Sequence, residues 1–540
     1  MPAGEHLVPV NCDHARTIRG GRYEHAMDGV AVRTVVALLL FTQSVAQPLE
    51  REIHAVASGG EPRHVSAAAI TRDGVRLSTL ENASAFELTF QRRAVIVPAV
   101  DAAPGTSATI LAAVRWFKTK APASVRKQWI VSALLAVDAS EIHQLSRWIA
   151  FQAPDLIIEV GSSTPTWPAV LTADRTTGLG DVPVTTAPIE IAIGSAVVPS
   201  PLRARLTARA SRPPLSIARL LAATYPQASS MSYIPAVSWV GMLRLSSVTG
   251  EAQWAARARE QLAPWLSGER PLFGQRIQLT AVAGTMVFAE LARTLSASSS
   301  SEIDRAARRL AVDGATRAAE RNAAGLAEYG GGWTDDMFMA TSVLARTASV
   351  DGRRSDLDAA ADLLIDYAGR LQRPDGLFIH AAQMPAAWGR GNGFAALALM
   401  EALTVLPVNH ARRSPLLTIY RRQMQALADA QAPDGAWRNV IDEPGAYREQ
   451  SATAMLFVAM ARGIRLGWLD RTQYWPVAQR AWAAVAVHVT EVGGVVDVCE
   501  STPGGPTTRY YLDRKALTGS DDRGGAMALL AALERYELGR

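Results

Sequence analysis

Two short strings hold the residue types best suited to chemistry, Trp333-Thr334-Asp335-Asp336 and Trp388-Gly389-Arg390-Gly391-Asn392-Gly393-Phe394. Each sets an indole beside a polar group able to act on a ligand. A carboxylate, Asp335 or Asp336, can give or take a proton. The Arg390 guanidinium can fork onto an anion, and the Asn392 amide can donate and accept. Arg390 follows Asp335 by 55 residues, the length of a helical hairpin with its loops. Indole, carboxylate, guanidinium and amide around one cavity suit a charged sugar, whose apolar face lies on tryptophan and whose carboxylate meets arginine.

Each of these residues also has a structural reading. Thr334 can cap a helix whose first turn holds Asp335 and Asp336, where their charge complements the helix dipole. Arg390 can satisfy carbonyls in a tight loop, and Asn392 can cap the helix that follows. Gly389, Gly391 and Gly393 let the backbone pass close to a ligand or take positive φ. His380 ends a short apolar run, where a lone histidine is more often packed than functional. Glu449 either caps a helix beginning near Ser451 or faces the cavity, and Asp521–Ala526 reads as another helix start. P-loop, dinucleotide, nucleophile-elbow and His-Glu-x-x-His patterns do not occur. Histidine and cysteine are too scattered for a metal site, and no cofactor is expected.

The elements that must position these groups fall into two regions. From about 50 to 196 apolar strand-length runs, Glu87–Phe90, Ala94–Val100, Trp129–Val137 and Asp155–Gly161, alternate with helical ones such as Ser107–Ala121. That order predicts a small α/β unit around a mostly parallel sheet buried on both faces. Residues 197–214, rich in Pro, Ser and Arg, read as a linker. From 215 to 540 roughly a dozen helical patterns follow. Gln372–Phe378 and Gln431–Trp437 repeat one device, a helix exit, a Pro-Asp-Gly turn and an aromatic, and Tyr329–Trp333 reads as a looser copy. Helical hairpins repeating every 50 to 60 residues, about six of them, predict a closed α/α toroid. The fold class is therefore mainly α, an (α/α)6 barrel preceded by a small α/β domain.

Of 540 residues 49% are hydrophobic and 19% charged, an ordinary globular balance, and the net charge of +5 contains no Lys/Arg block. A dedicated nucleic-acid or polybasic membrane surface is not expected. The cysteines, Cys12 and Cys499, form no framework. Residues 27–46 read as an export signal within an N-terminal extension of 1–47. Arg33 is its positive end, Val35–Phe41 its apolar run, and Ser44 and Ala46 its small residues before the cut. The apolar run is too short to span a bilayer, so a periplasmic or secreted protein is expected, free of the membrane once the signal is removed.

Taken in order, Trp333–Met339, Gly376–His380, Trp388–Phe394, Pro433–Trp437, Tyr447–Met455, Arg462–Asp470 and Tyr510–Arg514 resemble glycoside hydrolase family 105. These are the unsaturated rhamnogalacturonyl hydrolases, akin to the unsaturated glucuronyl hydrolases of family 88. The resemblance covers about residues 215–540. It implies a six-hairpin barrel that releases a 4,5-unsaturated uronic acid from the non-reducing end of lyase-generated acidic oligosaccharides by hydrating its vinyl ether. It also implies Asp335 as the acid and base, Asp336 as the helix-start residue, and Trp333, His380, Trp388, Arg390, Asn392 and Phe394 around the substrate. Two departures stand out. Phe394 replaces a usual tryptophan, and Phe273–Leu291 lacks the family's upstream aspartate, with Gln275, Gln278 or Thr280 as stand-ins.

Residues 50–195 resemble the core of zinc carboxypeptidase-like domains. Val100–Ala103 stands where those enzymes place a His and a Glu, which implies a non-catalytic unit. The alternatives are a conventional inverting glycosidase or uronate lyase on the same toroid, with Glu449 as its second carboxylate, and a non-catalytic carbohydrate-binding protein.

Overall fold

The computed structural model describes residues 49–59, 63–82, 91–173, 179–194, 198–295 and 301–540. The expected export signal (27–46) and the expected strand Glu87–Phe90 lie outside the described residues. Residues 53–540 form one compact unit; of 1–52 only Leu49–Glu52 is described, and it is helical.

The continuous apolar runs become strands β3 (Arg92–Pro98), β4 (Trp129–Leu134) and β5 (Leu156–Val160), and every residue of β4 is buried. β3 pairs in parallel with β4 on one side and β5 on the other, and β5 with the short Val184–Thr185, β6. Besides β6, two strands escape the sequence reading, the antiparallel hairpin β1 (His64–Ile70) and β2 (Arg76–Glu81), which completes the order β1-β2-β4-β3-β5-β6. Its apolar pattern is interrupted by buried Ser66, Thr79 and Glu81, which face polar partners rather than hydrocarbon. Helix α1 (Thr106–Thr119) covers one face of the sheet with Ile110, Leu111, Val114 and Phe117. Helix α2 (Ile142–Phe151) covers the other with Leu145, Trp148 and Ile149.

The stretch expected to be a linker is instead largely helical. Ser200 accepts the Arg203 N–H at 3.0 Å and starts α3 (Pro201–Ala210). Leu202 and Leu206, one turn apart, enter the core beside α2. Two apolar side chains in an otherwise basic and polar helix are too weak a period to read.

Thereafter helices of two textures alternate. α5 (Tyr233–Thr249), the broken pair α7 (Leu279–Gly284) and α8 (Met286–Thr294), α10 (Thr334–Asp351), α12 (Gly389–Val405), α14 (Gln450–Arg465) and α16 (Asp522–Leu538) are apolar nearly all round. Such helices must lie inside; in α12 every residue from Gly389 to Leu403 is buried. They contact one another in chain order, and α16 returns to α5, which closes an inner ring of six. The helices α6 (Ala252–Leu266), α9 (Glu302–Ala319), α11 (Arg354–Leu371), α13 (Arg413–Ala430) and α15 (Arg471–His488) are amphipathic or charged outside and form the outer layer. The sixth outer helix is α4 (Pro214–Thr224), which packs on α16, so the first and last helices together make the closing hairpin. Pro214, expected to end the linker, sits at the first helical position, where its missing N–H costs nothing.

The turn repeat is also clearer in three dimensions. Gly376 and Gly435 take positive φ, and a Cβ at either would stand 2.5 and 2.3 Å from the Arg422 and Arg480 carbonyls of the next outer helix. The third copy is Arg321–Ala327 with Gly325, bridged like Gln372–Phe378, and Val489–Val495 with Gly493 is a fourth. Tyr329–Trp333, expected to be a copy, belongs to the loop after it.

Deep in the inner ring lies a second regularity. Arg244, Glu290, Arg346, Glu401, Arg462 and Glu534 sit one per inner position and alternate in sign around the barrel. Arg346 reaches Glu290 at 2.7 Å and Glu401 at 2.6 Å. Glu534 takes Arg462 at 2.6 Å and Arg244 at 3.3 Å. Arg244 also acts on Glu290, and Glu401 on Arg462, which completes the circuit. Burial pushes the Glu534 carboxyl up, and Arg462 and Arg244 pull it back to well below the usual carboxylate range. An even number of helices is what allows every buried charge two neighbours of opposite sign.

Candidate active site

The site is built at the other end of the same helices. Counting back 11 residues from the charge ring gives Tyr233, Leu279, Asp335, Arg390, Ser451 and Arg523, each in the first turn of its inner helix. Eleven residues are about three turns, with roughly 20° left over, so each pair shares a helix face about 16 Å apart. The mouth therefore repeats the inward-facing register of the ring.

Asp335 stands in the first turn of α10 with its side chain 15% exposed. His380 Nε2 lies 3.0 Å from Asp335 Oδ2, and the Thr334 hydroxyl 3.5 Å from the same oxygen. Oδ1 has no hydrogen-bond partner among the described residues. His380 is fully buried, boxed by Trp333, Trp388 and Tyr511 with ring centroids at 5.2, 4.6 and 5.6 Å. Its Nδ1 is 2.6 Å from the Tyr511 hydroxyl, which accepts the Gly505 N–H at 3.2 Å. Burial pushes the Tyr511 phenol up to about 12, so it keeps its proton. With Gly505 on one lone pair, the phenol proton can be given to Nδ1, an arrangement that leaves an Nε2–H to donate to Asp335. The histidine that the sequence reads as more often packed is thus packed and aimed at the acid together.

Asp336 behaves differently one residue on. It folds back to accept N–H groups of Gly332 at 2.7 Å and Trp333 at 3.1 Å, and the Tyr367 hydroxyl at 3.0 Å. Burial and then the Asp335 charge push its carboxyl up to about 6. Trp333, not Thr334, is the N-cap residue, and Asp336 secures the loop that presents the Trp333 ring.

Arg390 is 3% exposed, and all three of its nitrogens meet protein acceptors. Nε donates to Ser451 Oγ at 2.9 Å, Nη1 to the Glu500 carbonyl at 3.4 Å, and Nη2 to the Cys499 carbonyl, with Glu449 at 3.7 Å. Its guanidinium lies 5.4 Å from the Trp388 ring. Burial opposes its charge, and Cys499 and Glu449 more than offset that. Asn392 lies within the first turns of α12 rather than at the cap, and binds the Phe378 N–H and the Phe378 and Trp388 carbonyls at 2.8 to 3.0 Å. Trp388 is buried, and its Nε1 has no acceptor among the described residues. The glycines of that string serve close approach: a Cβ on Gly389 would stand 2.4 Å from the Arg438 carbonyl, and one on Gly391 2.7 Å from Thr334 Oγ1. Phe394 is buried between Tyr233, 5.7 Å away on the opposite helix, and Phe338 at 5.8 Å, and so forms a floor beneath the mouth.

Glu449 is fully buried as the N-cap of α14 and accepts from the Ser451 hydroxyl and the N–H groups of Ser451, Ala452 and Cys499. With its oxygens so occupied it offers nothing to a substrate. Neither Gln278, the N-cap of α7, nor Thr280 restores a carboxylate at the upstream position. Sequence reasoning missed Tyr511, Tyr233 and Arg523. The first lies inside the Tyr510–Arg514 string, and the others share the helix-start register of Asp335, a signal visible only once six helix starts are aligned.

The sheet region also reaches this end. Arg448 pairs with Glu81 at 2.9 Å and Asp434 at 3.1 Å. Arg147 pairs with Asp497, whose φ is +61°, and Phe151 stacks on His488 at 3.8 Å. The loops that hold Glu449 and Cys499 against Arg390 are thus braced from the α/β side. Among the described residues no cluster of His, Cys, Asp and Glu suits a metal ion, and no helix is long and apolar enough to cross a membrane.

The family model for Glycosyl Hydrolase Family 88 matches residues 219–538. The chain is similar to an unsaturated 3S-rhamnoglycuronyl hydrolase of Alteromonas sp. (strain LOR), 28% identical over 30% of this chain and 42% of that one. It is also similar to the unsaturated rhamnogalacturonyl hydrolase YesR of Bacillus subtilis (strain 168), 29% identical over 32% of this chain and 50% of that one. The matched segments thus span half or less of those relatives' own length. A crystal structure of a possible family 105 member from Salmonella enterica superposes with a TM-score of 0.53 at 19% identity, over 60% of this chain and 93% of that one. At that identity the likeness speaks for the fold, and the expected six-hairpin barrel is the fold observed.

Proposed function

The chain belongs to Glycosyl Hydrolase Family 88, and from that membership we propose that it removes a 4,5-unsaturated uronic acid from the non-reducing end of acidic oligosaccharides by hydrating the vinyl ether. The observation that carries this reading is Asp335, a half-open carboxylate with one oxygen held by His380 and the other without a partner among the described residues, while Asp521 is taken up by Arg523 and the α16 cap. One acid suffices for such a reaction, whereas a conventional glycosidase needs two flanking carboxylates. Glu449, the rival's second carboxylate, is consumed as a helix cap.

In this mechanism protonated Asp335 delivers its proton to C4, and the cation at C5 is stabilised by the ring oxygen. The resulting carboxylate takes a proton from water as its oxygen bonds to C5. The hemiketal opens to a C5 ketone, and the hemiacetal left at C1 then expels the linked sugar. His380, held by Tyr511, fixes the rotamer of the acid. Trp333 walls the sugar, Trp388 backs His380 from behind, Phe394 lies buried beneath the mouth, and Asn392 holds the turn between Phe378 and Trp388. Arg390 contributes positive potential from behind the Trp388 ring. The reading includes export, on the pattern of residues 27–46, which N-terminal sequencing of the mature protein tests.

The test of the activity is loss of the 4,5-double-bond absorbance from lyase-generated pectic, rhamnogalacturonan and glycosaminoglycan oligosaccharides. Wild type is expected to bleach at least one, and Asp335→Asn none. A folded wild type that bleaches none overturns the reading for those substrates.

A further inference from the structure

The α/β unit supplies no acid or base to the proposed site, yet its β1–β2 hairpin grips two segments of the barrel. The first is the loop between α13 and α14, residues 431–449. There Arg438 Nη2 donates to Ser66 Oγ at 2.9 Å, and Arg448 Nη1 to the Ala67 carbonyl at 3.0 Å. Arg448 Nη2 meets both oxygens of Glu81, at 2.9 and 3.1 Å, and its Nε meets Asp434 at 3.1 Å. Gly445 comes so near β1 that a Cβ there would stand 2.7 Å from the Ile70 Cβ. The second segment is the short helix Thr508–Leu512, where Arg509 Nη1 donates to the Thr71 carbonyl at 2.8 Å.

Both segments hold groups that surround Asp335. Within the loop Arg438 bridges to Arg448, and Val440 bridges to Trp388, each in antiparallel fashion. The Asn439 carbonyl accepts the Gly389 N–H at 2.7 Å, and its side-chain amide donates to the Tyr511 carbonyl at 2.6 Å. Tyr511 belongs to the helix that Arg509 ties down, and its hydroxyl is the partner of His380 Nδ1. A continuous set of contacts therefore runs from the hairpin through Arg438 and Arg448 to Asn439, on to Tyr511, and by His380 to Asp335. Glu81 stands at its origin. It is fully buried and accepts from Thr79, Trp148 and Arg448. Burial and the Arg448 charge pull the Arg438 guanidinium down to about 10, and Glu81 and Asp434 oppose them. A buried ion pair is weak evidence for stability. A guanidinium shared by two carboxylates and a carbonyl does, however, fit in only one register.

We infer that the β1–β2 hairpin is a positioning element of the active site, with Glu81 as its positioning residue. By fixing Arg448, Glu81 sets the loop that holds Trp388 and Tyr511, and through Tyr511 it sets the His380–Asp335 pair. The α/β unit is then part of the catalytic body and not a separable binding module. The inference rests on the proposed hydration reading for what Asp335 does, and on the contacts alone for what Glu81 holds in place.

The experiment compares the full chain with two variants by hydrogen–deuterium exchange and by kinetics. Glu81→Gln keeps the side-chain shape and removes its charge; Ser66→Ala removes one hydrogen bond. In both, segments 378–392 and 437–447 should exchange about 10-fold faster, while the deep ends of α8 and α12, which carry Glu290 and Glu401, keep wild-type rates. On an oligosaccharide that wild type bleaches, Glu81→Gln should lower kcat about 10-fold with KM within about 2-fold. Added to Tyr511→Phe it should lower kcat by less than about 2-fold more, because both changes act through His380. Unchanged exchange at 378–392 overturns the inference. So does exchange that rises equally at the deep ends, or kcat losses that multiply in the double variant. If Glu81→Gln does not fold, Ser66→Ala decides by the same exchange criteria. Should exchange rise as expected while wild type bleaches no substrate, the hydration reading fails and the positioning by Glu81 stands.

Discussion

The two ends of the inner barrel use one register for opposite purposes. At the deep end Arg244, Glu290, Arg346, Glu401, Arg462 and Glu534 alternate in sign, and each charge has an oppositely charged neighbour on either side. Eleven residues toward the mouth the same helices carry Tyr233, Leu279, Asp335, Arg390, Ser451 and Arg523. There alternation is gone, and two charged groups, Asp335 Oδ1 and the Nη1 edge of Arg523, are left with capacity to spare. Fully paired buried charges fix structure; under-paired ones at a half-open mouth are available to a ligand. The difference separates framework from function without reference to any substrate.

The largest effect should come from breaking the ring at its most heavily loaded point. Glu534→Gln leaves Arg462, Arg465 and Arg244 without their shared carboxylate and is expected to destabilise folding by about 3–5 kcal/mol in denaturant titration. Exchanging the pair, Arg462→Glu with Glu534→Arg, should fail to restore stability. The new Glu would neighbour Glu401 and the new Arg would neighbour Arg244, so recovery on exchange would reduce the ring to separate ion pairs.

A smaller effect is expected from Asp336. Its folded-state value, raised to about 6 from the ordinary aspartate range near 4, means that the native state binds the proton more tightly than the unfolded chain. Its contribution is present below pH 4 and is lost as pH rises toward 6, on the order of 3 kcal/mol in all. The slope of stability between pH 4 and 6 should therefore be more positive in Asp336→Asn than in wild type, and equal slopes would contradict this.

Smaller still is the hydroxyl behind the histidine. Tyr511→Phe removes the partner of His380 Nδ1 and should lower kcat by about 10-fold, roughly 1.4 kcal/mol, with KM little changed. A change in KM alone would make Tyr511 a wall rather than a support.

Much of this architecture was legible in the residues. Inner helices announce themselves by being apolar all round, and the Pro-Asp-Gly turns by glycines that a neighbouring carbonyl would otherwise meet. Asp335, Trp333 and His380 do meet, and Asp336 does serve the helix start. What escaped depends on partners far away in the chain. The β1–β2 hairpin hides because its buried polar residues answer to arginines near 438–448, and α3 because two leucines suffice to dock it. Arg390 reads the same in sequence whether it meets a ligand or the Cys499 carbonyl, 109 residues on. The upstream aspartate missing from Phe273–Leu291 is not replaced there, where Gln278 serves as a helix N-cap.

In the proposed mechanism Asp335 protonates C4 before the sugar linkage breaks, and one proton NMR time course in D2O tests this order. With an oligosaccharide that wild type consumes, the vinyl H4 signal should be lost no later than the freed reducing sugar appears, with one deuterium on a single face of C4, and neither event should occur in Asp335→Asn. Release of the sugar first, with free unsaturated uronate accumulating, would contradict it.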